Sequence, residues 1–175
     1  LYSYANKFAG VILQVVNAPV VNIFATQANY HVANNRYDLL KSDIKKVLSQ
    51  TIVLFSISGG ITYMILPYLL SVLFGEKFNE NDIFVIQNIF LVLLCFYLVV
   101  VIESPFARIS SIFKLFSFGL FINFIFSITI LISYGLIKLF DLNYFQFLWL
   151  VIIAQLFNLS LAYLRYRYFL RNKIK

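Results

Sequence analysis

Among the residues able to do chemistry, the most concentrated group is a row near the N-terminus: Ser3, Asn6, Lys7, Gly10, Gln14 and Asn17. At about 100° per residue these positions fall within one arc of about 100° on a helix. Phe8, Val11, Ile12, Val15, Val16, Val20 and Ile23 fall outside it. A cation beside a row of amides offers charge-assisted bonds to an anion and neutral hydrogen bonds to hydroxyl groups. The row lies in an otherwise apolar segment of membrane length, about 3 to 26, so its polar side requires water, a polar ligand or other helices. Lys7 is a turn or two from the segment's start, where its stem can reach the interface. Gln14 and Asn17 lie near mid-depth and have no such exit, which favours a cavity wall over isolated interhelical contacts.

Other chemistry is sparse. The lone His31 has no carboxylate or second histidine at ligand spacing, and Cys95 lies deep in an apolar run as a small packing residue. Neither a nucleophile with a histidine partner nor a glycine-rich phosphate loop is present, and CxxC and HExxH spacings are missing. The reading is therefore of a protein that is not an enzyme, without a cofactor or a metal site. Glu103, near one end of an apolar run, either reaches the interface, pairs with Arg108, or couples transport to a proton or sodium ion. Gln155 and Asn158, three apart on one face, are expected to be packing contacts.

The elements that must position these groups follow from composition. Of 175 residues, 62% are hydrophobic and 12% charged, against about 45–50% and about 25% in soluble domains. Several separate runs of membrane length predict an all-α integral membrane bundle, because backbone groups in hydrocarbon must pair within their own segment and no alternating barrel pattern is present. Five spans are predicted, at about 3–26, 50–74, 83–106, 114–137 and 144–165. The segment 27–49 carries Leu39, Leu40, Ile44, Val47 and Leu48 at helical spacing among Lys41, Lys45 and Lys46, and reads either as an interfacial amphipathic helix turning into the second span or as a solvated connector whose lysines hold topology and touch anionic lipid. Gly59-Gly60 and Pro67 predict close approach or a bend. Asn81 or Asp82 is expected to cap the third span. Ser117, Asn123, Ser127 and Ser133 of the fourth are expected to make scattered interhelical bonds.

The net charge of +7 is a matter of topology, with no expectation of nucleic-acid binding. Arg36, Lys41, Lys45, Lys46, Arg108, Lys114, Arg165, Arg167, Arg171, Lys173 and Lys175 fall on one side of alternating spans. Lys77 and Lys138 fall on the other, diluted by Glu76, Glu80, Asp82 and Asp141. The positive-inside rule then places the C-terminus in the cytoplasm and Leu1 outside. Because the chain begins within a membrane-length helix, it is expected to be part of a longer protein.

The sequence Leu1-Tyr2-Ser3-Tyr4-Ala5-Asn6-Lys7, followed by Pro19 and a basic amphipathic linker, resembles the eighth helix of bacterial polysaccharide flippases. These belong to the multidrug/oligosaccharidyl-lipid/polysaccharide exporter superfamily, which includes O-antigen and capsule repeat-unit exporters. Leu73-Phe74-Gly75-Glu76-Lys77-Phe78 is similar to the short turn ending that family's next helix. The resemblance implies that the five spans are the last five of twelve, in the bacterial inner membrane, completed by an N-terminal lobe of the same chain. It implies export of undecaprenyl-diphosphate-linked oligosaccharide, with Lys7 on the diphosphate or an acidic sugar and Asn6, Gln14 and Asn17 in the cavity wall. Membrane lipids are the other expected partners. A small-solute or drug exporter, a membrane enzyme of glycan assembly and a structural membrane module remain alternatives.

Overall fold

The computed structural model describes residues 1–141 and 143–173, with the side chains of Glu76, Asn172 and Lys173 outside the description. Of the charges counted above, Glu76, Lys173 and Lys175 therefore lie outside the described side chains. Five α-helices follow one another: α1 (Tyr2–Ala33), α2 (Tyr37–Phe74), α3 (Glu80–Ile112), α4 (Phe116–Phe140) and α5 (Tyr144–Lys173), with a 3₁₀ turn at Gly75–Lys77. Each α-helix contains a stretch long and apolar enough to cross a membrane. The all-α membrane bundle expected from composition is the architecture observed.

α3 is the central helix and packs against the other four. Helices in lipid gain little from burying apolar groups against one another, so close backbone approach has to supply the association. On α1 the approach is made by Ala5 and Ala9, both fully buried, followed on the same face by Ile12 and Val16. On α2 it is made by Gly59, where an added Cβ would stand 3.1 Å from Leu94 Cδ2 of α3. Its neighbour Gly60 faces open space. α4 buries only Ile122 and Ser133 and turns Leu120, Phe121, Phe124 and Leu131 outward, an apolar surface of the kind that lipid can cover.

The helices exceed the predicted spans because hydrophobicity marks only the membrane-length part of a helix that continues past it. The largest difference is at 27–49, where no separate interfacial helix forms. α1 runs on to Ala33, Asn35 takes a left-handed conformation (φ 57), and α2 begins at Tyr37. The apolar residues of this segment do recur on one face, but Leu40, Ile44 and Val47 are buried with Phe24, Ala28, Phe106 and Ile109. Protein, rather than the lipid interface, covers that face.

Two further expectations are corrected. The cap of α3 is Asn79, not Asn81 or Asp82: its side chain accepts from the Asp82 N–H at 2.8 Å while its own N–H donates to Asp82 Oδ2 at 3.3 Å. Asn143 and Gln146 repeat this reciprocal cap at α5, so both helix starts at this end satisfy exposed amides locally. On α4, Ser127 and Ser133 donate to the carbonyls of Asn123 and Thr129 four residues back in the same helix. The hydroxyls there consume their own protons and bind no neighbouring helix through them.

Candidate functional site

The polar row of α1 is divided by its packing. α3 lies against one edge of the arc, where Asn6 Oδ1 accepts from the Tyr97 hydroxyl at 2.7 Å and Asn17 Oδ1 accepts from the Ser104 hydroxyl at 2.9 Å. Both asparagines are half-buried. The two bonds join residues in ascending order on both helices, so α1 and α3 run parallel, clamped at two depths. Asn6 also borders a mainly apolar cavity of about 250 Å³ with Tyr2, Phe96 and Phe147. Asn6 and Asn17, both expected in one open wall with Lys7 and Gln14, are thus tied to α3.

The other edge of the arc is free of neighbours. Ser3, Lys7 and Gln14 are exposed, and the space beside Gly10 is open. Lys7 and Gln14 are two turns apart on this face, with Gly10 between them leaving backbone accessible. Val11 and Val15 flank them and are also exposed, at 59% and 68%. The face therefore mixes one cation, one amide and small apolar side chains. A surface of this kind suits an amphiphilic ligand or a wetted wall better than uniform lipid, which offers the amide no partner.

Lys7 has a route to the bundle end. Its ammonium lies 6.0 Å from the Tyr4 ring, and the Lys77 ammonium lies 5.5 Å from the same ring while donating to the Tyr4 hydroxyl at 2.9 Å. Tyr4 packs edge-on against Phe74 and Phe78, which fixes it. Two cations thus converge around one tyrosine at the α1 N-terminus. Lys77, supplied by the 3₁₀ turn, entered the sequence reading as a topology charge and part of the 73–78 turn, not as a site residue.

Glu103 does not pair with Arg108, one of the expectations for it. Arg108 is exposed and makes no ion pair with it; among the described residues the ion pairs are His31–Asp43 and Lys41–Asp38. Five residues separate Glu103 from Arg108, which puts them on different faces of α3. Instead, Glu103 Oε2 accepts from Gln155 Nε2 of α5. Gln155 and Asn158 are both buried on α5, and Asn158 Oδ1 has no hydrogen-bond partner among the described residues. Glu103 also borders a cavity of about 400 Å³ shared with Ser110, Ser111 and Asn123 between α3 and α4. Sequence pattern had paired Gln155 with Asn158 as packing residues; the bond of Gln155 to a carboxylate on α3 depends on tertiary packing that no local spacing encodes.

His31 does meet a carboxylate, contrary to expectation, because the tight α1–α2 turn brings Asp43 Oδ2 to 2.9 Å from Nε2. The two are twelve residues apart on different helices, so ligand spacing along one helix could not reveal them. Among the described residues no three His, Cys, Asp or Glu side chains gather as a metal site. Comparison of the chain with protein-family models, curated proteins and solved structures gives no match.

Proposed function

We propose that this chain forms part of the C-terminal lobe of a bacterial inner-membrane flippase that moves undecaprenyl-diphosphate-linked oligosaccharide outward for surface polysaccharide synthesis. The observation that carries this reading is the exposed edge of α1, where Lys7 and Gln14 flank the open backbone at Gly10 while neighbouring asparagines are occupied by α3. A lysine and an amide on an unpacked face of a membrane-length helix are expensive in lipid and are useful against a polar substrate. The resemblance of residues 1–7 and 73–78 to the polysaccharide flippases supports the same class, and the basic charge gathered at one end of the bundle agrees with a cytoplasmic C-terminus.

In this mechanism the α1 face is one wall of a cavity that opens alternately to the two sides of the membrane, and the N-terminal lobe of the full protein is the other. The Lys7 ammonium pairs with the diphosphate or an acidic sugar, and Lys77 adds positive potential around Tyr4. Gln14 donates and accepts hydrogen bonds with sugar hydroxyls. Asn6 and Asn17 hold the wall to α3 and thereby set the angle at which Lys7 and Gln14 are presented. No bond is made or broken, so no catalytic group is required.

The test is surface-glycan display by cells whose full-length protein carries Lys7→Ala and Gln14→Ala together. Display falls at normal protein abundance, and Lys7→Arg retains it. Wild-type display by the double variant contradicts the reading. A second reading, a cation-driven small-solute exporter, is favoured by Glu103, a carboxylate held by Gln155 at a helix–helix contact. It requires solute efflux that follows an imposed proton or sodium gradient and is abolished by Glu103→Gln.

A further inference from the structure

A groove of about 1030 Å³ lies not at the polar row but at the opposite end of the bundle, between the start of α2 and the end of α5. We propose that it binds the headgroup of an anionic phospholipid of the surrounding bilayer, one with two phosphates in particular. The proposal is independent of what the protein transports.

Four cations line the groove, Lys41 and Lys45 from α2 and Arg167 and Arg171 from α5. Each pair is spaced four residues apart and so projects from one face of its helix. No acidic residue is among the lining side chains. Lys41 lies 3.8 Å from Asp38, an exposed contact of the kind that contributes little. Among the described residues Lys45, Arg167 and Arg171 have no ion-pair partner. The other acidic group at the start of α2, Asp43, is engaged by His31 on the side facing α1.

Position selects the class of ligand. The membrane-length part of α2 begins near residue 50 and that of α5 ends near residue 165, so all four cations lie past the hydrocarbon on the same side, with Lys45 and Arg167 at headgroup depth and Lys41 and Arg171 a turn further out. Beneath them the floor is apolar, formed by Leu48, Phe106 and Leu170. Phe106 and Leu170 are buried, and the Phe106 ring packs 5.2 Å from that of Tyr166, which also lines the groove. The platform is held from below, since Leu40 and Ile44 of α2 join Phe106 and Leu170 in one buried cluster. Tyr163, Leu164 and Tyr168 also line the groove and are exposed, so the cations stand beside open apolar surface. This matches a lipid that presents phosphate at the surface and acyl chain below it, whereas a soluble polyanion would leave that apolar surface uncovered. Two pairs of cations on facing helices match two phosphates on one headgroup.

The experiment is native mass spectrometry of the full-length protein with equimolar diphosphatidylglycerol, phosphatidylglycerol and phosphatidylethanolamine. Wild type retains diphosphatidylglycerol in preference to the other two. Lys45→Gln/Arg167→Gln/Arg171→Gln weakens its binding on the order of 100-fold, about fivefold for each cation near a membrane surface. These side chains are exposed, so the variant keeps the wild-type elution profile. Lys138→Gln, at the other end, leaves binding unchanged. Equal retention by the triple variant, equal retention of phosphatidylethanolamine, or equal loss in Lys138→Gln overturns the proposal. So does full displacement by inorganic diphosphate, which would assign the groove to a free phosphate ligand.

Discussion

Replacing Asn17 by alanine removes one of the two polar clamps between α1 and α3, and its cost separates a structural amide from a transport amide. Interhelical hydrogen bonds in membrane proteins contribute about 0.6 kcal/mol on average and about 1.7 at most. The Ser104 hydroxyl has one proton and two acceptors within reach, Asn17 Oδ1 at 2.9 Å and the Val101 carbonyl at 2.8 Å. Part of its bonding therefore survives the loss of Asn17, and the coupling belongs near the average, at about 0.6 kcal/mol. A double-mutant cycle of Asn17→Ala and Ser104→Ala in the full-length protein, followed by reversible unfolding in mixed micelles, measures that term directly. The same cycle with Gln14→Ala and Ser104→Ala is additive, because Gln14 is exposed on the other edge of the arc. Gln14→Ala itself changes stability by no more than about 0.5 kcal/mol, the range of an unpacked surface position. If Gln14 couples to Ser104 as strongly as Asn17 does, or Asn17 does not couple at all, the division of the row into clamp and open wall is wrong.

Two further outcomes follow from the same geometry. Gln155→Leu deprives the part-buried Glu103 carboxylate of its donor on α5 and destabilises the bundle by about 1 kcal/mol, the low end of the cost of stranding an acceptor; Glu103→Gln/Gln155→Leu recovers part of this in thermal unfolding. Orientation is read by an impermeant thiol reagent in intact cells: a cysteine at Asn79 reacts from outside and one at Asn35 does not, and the opposite pattern reverses the topology.

Most of the helices could be read from the sequence, and the reason is physical. In hydrocarbon a backbone has no alternative to the helix, so a long apolar run states its own conformation. Helix ends were less legible, since α1 and α2 continue into water where apolar content no longer marks them. At 27–49 the period of the apolar residues was read correctly and their partner incorrectly, because Leu40, Ile44 and Val47 suit a lipid interface and a protein groove equally well. The polar row was found as a set of residues sharing an arc. Its division into Asn6 and Asn17 against Lys7 and Gln14 depends on Tyr97 and Ser104, 91 and 87 positions away, which no local pattern reaches. The same holds for Glu103: its spacing to Arg108 suggested a partner along the helix, while the partner came from α5.

The claim on which the functional account rests is that the free edge of α1 meets water rather than lipid. In full-length protein lacking Cys95, single cysteines at Gln14 and at Ile153, an outward-facing residue of α5 that is 61% exposed, compare the two environments at exposed positions. Thiolate forms in water and not in hydrocarbon, so labelling by a charged thiol reagent reports which phase each position meets. The account predicts that the cysteine at position 14 is labelled and the one at position 153 is silent. Equal silence at both positions would show the α1 face to be lipid-covered and would contradict it.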